Sequence, residues 1–436
     1  MKIKRLIEID LTIVLIVAAL VSFGILFIYS SGVTTSGILV SIEFQKQMIW
    51  GILGLVIALA IGISDYRKMY QFSGYIYIGM LLLLVYTRLF GKVVNGAQSW
   101  VGVGSFGIQP SEFAKLSTII FLAYYLASSV RNQNSLKRFL ISCAIVFVPV
   151  ILILSQPDLG TSLAFFPILF MMTFIAGLPV SYVAYLFLFV AITGFLTILP
   201  LWHQYILRGA FPSLAVFSGS QAVLIFAFAF LGIALIAVFG YRRYQRKYFY
   251  WISYLSSVVS LSMLASLAAR VVLKDYQIMR LIVFLDPNVD PRGSGWNIIQ
   301  SITAIGSGGF WGKGFLQGTQ SHYRFLPQQS TDFIFSIFSE EWGFIGGMII
   351  FSLYAVLSLR IVHIMKTTSD PYGAYIATGL SAIMVFHFLV NVGMAMGVMP
   401  ITGIPLIFMS YGGSSLLTAM IGIGIILSVQ MRRFEH

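Results

Sequence analysis

Twelve apolar runs, each long enough to cross a bilayer as a helix, constrain this chain more than any other feature. A spanning helix needs about 20 apolar residues. Such runs lie near 11–31, 47–64, 73–90, 112–129, 138–155, 160–177, 180–200, 222–240, 250–270, 332–358, 373–398 and 412–430. Inside a bilayer every backbone polar group must find a partner within the protein, and a helix does this within one segment. The expectation is an all-α polytopic membrane protein with about twelve spanning helices. The hydrophobic fraction of 58% and charged fraction of 9% over 436 residues exclude a soluble domain of this size.

An even number of spans puts both termini on one side, and the basic residues choose the side. Arg67 and Lys68, then Arg131, Lys137 and Arg138, then Arg242, Arg243, Arg246 and Lys247, then Arg360 and Lys366 fall in alternate connections. Both ends of the chain are basic as well. The positive-inside rule therefore predicts cytoplasmic termini. The net charge of +13 is dispersed in these short clusters. It points to anionic lipid headgroups and away from nucleic acid. Cys143 is the single cysteine and lies in an apolar run, so a packing role is expected. The first apolar run has no small-residue cleavage site after it and reads as a span.

One polar stretch, 271–331, interrupts this pattern. It is expected to be a long extracytoplasmic loop. It holds three of the chain's 14 acidic residues, Asp275, Asp286 and Asp290, with Arg280, Arg292, Lys313 and Arg324. Asp286-Pro287 and Asp290-Pro291 place two carboxylates four residues apart, each before a proline that disfavours helix at the acid. A carboxylate held there at a helix end, with restricted water, suits a general base; a solvated Asp-Pro turn is the alternative. Around Lys313 stand Gly306, Gly308, Gly309, Gly312 and Gly314. Gly314 follows the lysine where a Walker A sequence requires Ser or Thr, and no βαβ context exists. Backbone amides in such a loop can contact a phosphate; a tight turn is the plainer reading.

Ionisable residues also stand inside or beside the apolar runs, where they are costly and usually face a polar cavity or each other. Glu112 and Lys115 share one helical face just after Pro110. They form either a structural ion pair or part of a substrate cavity. Asp332 and Glu340, eight residues apart, are expected on one face of the tenth span, with Glu341 turned about 100° away. Asp158 lies between two spans. The five histidines show no metal-ligand spacing, and His387 is expected to be hydrogen-bonded packing. From the residues alone, a transporter and an enzyme stand level.

The chain resembles the shape, elongation, division and sporulation (SEDS) family of bacterial cell-wall proteins. The matching segments are Asn95 to Trp100, Gln109 to Lys115, Gln156 to Thr161, Arg280, Asp290 to Gly295, Gly318 to Ser321, Leu326-Pro327, Thr331 to Phe335, Glu340-Glu341 and Asn391 through Ser415. Gln156-Pro157-Asp158 and Gly318-Thr319-Gln320-Ser321 favour the elongation branch over the division branch. The resemblance implies a single membrane domain over 1–436, with a family core of ten spans and an inserted helical pair in 209–269. It implies a peptidoglycan glycosyltransferase that polymerises lipid II into β-1,4 glycan at the outer leaflet during cell elongation. It further implies a class B penicillin-binding protein as crosslinking partner, within an elongation complex.

By the same resemblance Asp290 is the essential acid, and the Glu112–Lys115 pair is functionally important. Arg280, Arg292 and Lys313 are candidates for the diphosphate, with Lys115 a weaker one; Asp158, Asp332 and Glu340 complete the substrate-binding set. No cofactor is expected with certainty, and a divalent cation, Mg or Mn, is left open. Gln328 stands where relatives usually carry Glu, and Trp296-Asn297 replaces a common Gly-Tyr-Gln. A lipid II flippase and a non-catalytic scaffold are the rival readings.

Overall fold

The structure is a computed structural model. It describes residues 10–94, 96–103, 106–129, 134–206, 216–272, 275–291 and 293–433, with the backbone alone at 103, 106, 218, 272, 275–278 and 294. The chain forms two compact units, one of residues 1–177 with 297–436 and one of residues 178–296.

In the first unit the apolar runs fold as helices whose starts are written in short polar residues. Helix α1 (Leu11–Gly32) begins at Asp10, whose carboxylate accepts from Thr12 N at 3.0 Å. Then come α2 (Glu43–Ile63), α3 (Lys68–Phe90), α4 (Pro110–Ser128), α5 (Ser135–Ser155), α6 (Leu159–Leu163) and α7 (Phe165–Ile175). Proline opens α4, where its missing N–H costs nothing, and Asp158 caps α6. Between α3 and α4 lies a feature absent from the sequence reading, an antiparallel meander of β1 (Lys92–Val94), β2 (Ala97–Val103) and β3 (Phe106–Ile108). Trp100 lies over Gly107, where a Cβ would come within 2.9 Å of the indole.

The second unit contains α8 (Val180–Tyr205), α9 (Ser220–Tyr244), α10 (Lys247–Val272) and α11 (Asp275–Leu285). Leu196, Leu199, Val223, Ala227 and Met263 form its core. Between apolar helices, small hydroxyl side chains allow close approach and supply hydrogen bonds. Here Ser260 donates to Ala227 O at 2.8 Å and Ser262 to Phe189 O at 3.2 Å. The compact unit is thus larger than the 209–269 pair read from the sequence. It takes in the run at 180–200 and the Asp286–Asp290 region.

After α12 (Ser294–Gly308) and α13 (Thr319–His322), the chain returns through α14 (Ile334–Thr367), α15 (Pro371–Ala395) and α16 (Gly413–Met431). Asp370 caps α15 and also accepts from the Tyr66 hydroxyl at 2.7 Å. Burial first, and then this bond, raise the Tyr66 phenol above its usual range. Small residues bring α16 against α2; a Cβ at Gly424 would lie 2.7 Å from the Ala58 carbonyl.

The protein is a multi-pass membrane protein, and two expectations are met only in part. Among the described residues ten helices, not twelve, are long and apolar enough to cross a membrane. The other two runs are helical. Glu112 and Lys115 dilute α4, which is buried along most of its length, and Leu159–Ile175 is short and broken into α6 and α7. The stretch 271–331 is not irregular throughout: α11, α12, α13 and a 3₁₀ turn at Pro287–Val289 occupy much of it.

Helix α14 breaks at Gly343, which has φ 62° and ψ −159°. That conformation is almost confined to glycine, and a Cβ there would lie 2.3 Å from Gly312 N. We expect Gly343→Ala to cost about 1–3 kcal/mol from the backbone alone. Gly347→Ala, whose Cβ would meet nothing closer than 4.0 Å, should be neutral or gain up to about 1 kcal/mol. Thermal unfolding of the two variants in detergent checks the opposite signs.

Candidate functional site

Two polar clusters and one half-buried acid take in most of the ionisable residues singled out in the sequence. The first cluster is built on Glu340 and Glu341, both buried near the start of α14. Glu340 accepts from Lys313 Nζ at 2.8 Å, Thr319 Oγ1 at 3.0 Å, Gln320 N at 3.0 Å and Ser321 N at 3.3 Å. Glu341 accepts from Leu316 N at 3.1 Å and from the Ser30 hydroxyl, and lies 3.7 Å from His322 Nε2. His322 Nδ1 is 2.7 Å from the Val33 carbonyl, so that nitrogen carries the hydrogen. The paired carboxylates therefore clamp residues 313–322 onto α14 and α1.

This clamp explains the glycines. A Cβ at Gly308 would lie 2.1 Å from Ser339 O, and one at Gly312 2.1 Å from Glu341 O. The amides of Lys313 and Gly314 donate to the Glu340 and Glu341 carbonyls at 3.1 and 2.9 Å. These two amides are used inside the fold, so the glycine cluster serves close backbone packing at the α14 break and not an open phosphate cradle. The expected shared face of Asp332 and Glu340 is also corrected. Asp332 precedes α14, whose N-cap is Phe333, so the two acids are not on one helix.

The second cluster centres on the ion pair of Glu112 and Lys115, with Nζ 2.8 Å from Oε1 and both side chains buried. Lys115 Nζ is also 3.2 Å from His387 Nε2 on α15, and His387 Nδ1 is 3.0 Å from Pro405 O. A cavity of about 20 Å³, lined in part by Glu112, Lys115, Met384, Ile407 and Thr418, adjoins the pair. That is room for roughly one water molecule. Just before α4, Gln109 Nε2 donates to Asp158 at 2.9 Å, and Asp158 also accepts from Thr161 N and Oγ1 at 3.1 and 2.7 Å. Asn391 Nδ2 bridges the carbonyls of Asp332 and Ile404 at 2.8 and 2.9 Å. Glu112, Lys115, Asp158 and Asp332 are thus tied to α15, α6 and the segment 399–412. Gln109, His387 and Asn391 were missed as site residues. Spacing offered one hint: His387 and Asn391 lie four apart, on one helical face.

The third element belongs to the second unit. Asp286 caps the 3₁₀ turn, accepting from Asn288 N at 2.9 Å. Asp290 ends that turn, half-buried, with φ −137° and ψ 69°. Its carbonyl accepts from Gly293 N at 3.3 Å and Gly295 N at 3.0 Å. Its carboxylate folds over the Gly293 Cα, and a Cβ at 293 would lie 2.2 Å from Oδ2. Two prolines and two glycines thus hold one carboxylate in one direction beside the start of α12. Arg280 is half-buried on α11. Arg292 lies outside the described residues. Among the described residues no three His, Cys, Asp or Glu side chains converge as ligands for one ion.

Comparison with known proteins adds to this geometry. Over 433 residues the chain is 50% identical to the peptidoglycan glycosyltransferase RodA of Treponema pallidum, covering 99% of this chain and all of that protein. It is 31% identical to the peptidoglycan glycosyltransferase MrdB of Escherichia coli over 98% of this chain and 95% of that one. It is 32% identical to the stage V sporulation protein E of Bacillus subtilis over 96% of each. A chain of a solved peptidoglycan synthase complex, one coordinating polymerization and crosslinking, shares the fold with a TM-score of 0.68 and 26% identity, covering 98% of this chain and 99% of that one. The crystal structure of the Thermus thermophilus rod shape determining protein RodA gives a TM-score of 0.61 at 23% identity over 98% of both chains. The model of the FtsW/RodA/SpoVE family, described as cell cycle proteins, matches residues 10–211 and 219–435. A match over nearly the whole chain, with the buried charges and the held carboxylate both inside it, means that this protein belongs to the FtsW/RodA/SpoVE family.

Proposed function

We propose that this protein is a peptidoglycan glycosyltransferase that polymerises lipid II at the outer leaflet of the cytoplasmic membrane during cell elongation. The observation that carries the reading is the 50% identity, over 99% of the chain, to a relative named as a peptidoglycan glycosyltransferase. The held carboxylate of Asp290 supports it chemically. Both termini face the cytoplasm in this reading, and the 286–290 turn faces outward. The ion pair of Asp10 with Arg360, 2.7 Å long, joins two of the ends assigned to the inner side.

In lipid II the sugar is α-linked to diphosphate, and the glycan product is β-1,4-linked. One displacement with inversion accounts for the change. The acceptor 4-hydroxyl oxygen bonds to the donor anomeric carbon while the bond from that carbon to the diphosphate oxygen breaks. The diphosphate leaves with the electron pair. Asp290 takes the hydroxyl proton, and Arg280 and Arg292 meet the charge growing on the leaving group. Lys313 keeps one donor after Glu340 and Thr319 take two, and by itself is a further candidate for a phosphate. Asp158, Asp332 and the Glu112–Lys115 pair shape and hold the substrate path, and Glu340 acts only by holding Lys313. A class B penicillin-binding protein crosslinks the product, and the likeness to a chain of a synthase complex that couples polymerization with crosslinking supports that partner. A flippase reading rests on the intramembrane charges. Glu340 and Glu341 are committed to internal clamps, which favours the enzyme.

The test is purified chain with its partner and lipid II in detergent, with Mg or Mn and with EDTA. Glycan strands are the expected product. Transport confined to sealed vesicles, with no glycan in detergent, overturns the proposal.

A further inference from the structure

We infer that His387 is a positioning residue that sets the direction of the Lys115 ammonium and joins the buried ion pair to the segment 399–412. The functional part of this inference rests on the glycosyltransferase reading.

A carbonyl only accepts, so the 3.0 Å contact with Pro405 O puts the hydrogen of a neutral His387 ring on Nδ1. Its Nε2 lone pair then faces Lys115 Nζ, 3.2 Å away, and accepts from it. Glu112 takes a second ammonium hydrogen at 2.8 Å. With two of three donors fixed, the third is aimed, and the adjoining cavity of about 20 Å³ is where it can point. Thr418 lines that cavity with a buried hydroxyl that has no protein partner. Glu112, Lys115 and His387 are all at most 5% exposed. Water therefore does not compete for these bonds.

The segment on the other side of His387 is unusual. Residues 399–412 contain no helix, yet Ile404, Leu406, Phe408 and Met409 are buried. Pro405 O meets a side chain about two turns, ~12 Å, back from the end of α15. The segment therefore dips back alongside the helix. Irregular backbone at such depth persists only where protein groups satisfy it. His387 does so at Pro405, Asn391 at Ile404, Gln47 at Ser410 (3.0 Å), and the Tyr354 hydroxyl at Ile407. His387 alone among these also touches the ion pair. Displacement of the segment thus turns the ammonium, and loss of the ammonium frees the ring that holds the segment.

The test compares His387→Leu, which keeps volume but neither bond, with His387→Gln, whose amide oxygen can still accept from Lys115. Lipid II polymerisation is measured with the partner present. We expect His387→Leu to lower kcat by about tenfold or more with little change in KM, because a small misplacement of a substrate-positioning group is costly even away from the chemistry. His387→Gln should recover most of the loss. Hydrogen–deuterium exchange gives an arm independent of activity: His387→Leu and Lys115→Met should both raise exchange across 399–412, and His387→Gln should not. Wild-type kcat in His387→Leu, or no recovery with Gln, overturns the positioning role. Unchanged exchange in Lys115→Met overturns the coupling. If the wild type makes no glycan, the glycosyltransferase reading and the positioning role built on it fail, and the exchange arm still decides the coupling.

Discussion

Asp290→Asn purified with its partner should make glycan from lipid II about 10²–10⁴-fold more slowly than the wild type, the range expected when a positioned general base is lost. Asparagine matches aspartate in shape, so the 3₁₀ turn, the two proline-led bends and the backbone bonds to Gly293 and Gly295 can all persist. What disappears is the group that accepts the acceptor-hydroxyl proton. A companion variant separates geometry from chemistry. Gly293→Ala keeps the carboxylate but puts a Cβ 2.2 Å from its present Oδ2 position. It should therefore lose activity by turning Asp290 aside, and a compensating smaller residue does not exist. Initial rates of strand formation, with thermal unfolding as a folding control, check both. Full activity in Asp290→Asn removes Asp290 from the mechanism.

Glu340→Leu should destabilise the protein by about 3–5 kcal/mol, the cost of breaking a buried, hydrogen-bonded ion pair from one side. The carboxylate is fully buried and receives four close donors. Its removal leaves Gln320 N and Ser321 N without that acceptor and Lys313 without its counter-ion. Lys313→Met should cost less, since Glu340 keeps its backbone donors and the lysine is a quarter exposed. Adding Lys313→Met to Glu340→Leu should recover part of the loss, because no unpaired charge is then left. Unfolding midpoints of the three variants in detergent form the cycle. Equal effects of the two single variants would mean that the backbone donors contribute nothing to holding Glu340.

The membrane architecture was legible because its cause is local. Each run of about 20 apolar residues must hide its own backbone, and a helix does so without help from the rest of the chain. The helix start at Pro110 was legible for an equally local reason, since a proline there gives up no helical hydrogen bond; the caps Asp10, Asp158 and Asp370 rest on the same local physics and were not read. The Glu112–Lys115 pair was legible as well, because residues three apart in a helix are neighbours. The stretch 271–331 holds no further candidate span among the described residues, but the helices within it were not legible, because its polar residues suggested solvent. Much of that polarity is spent inside the fold, with Lys313 on Glu340 and His322 on Val33 and beside Glu341. The shared face assigned to Asp332 and Glu340 failed because the helix begins only at Ile334.

By itself, then, the sequence determined a helical, multi-pass membrane chain, the start of the helix at Pro110, the Asp-Pro pairs at 286 and 290 and, through ordered motifs, its family. The tertiary structure alone decided which distant groups meet. Ser30 with Glu341, Lys115 with His387, Asn391 with Ile404 and Asp332, and Gly312 with Glu341 are pairs separated by 13 to 311 residues. No helical or strand period encodes such separations. They exist because a polar group taken out of water must find a partner, and the packing of apolar helices determines which one is within reach.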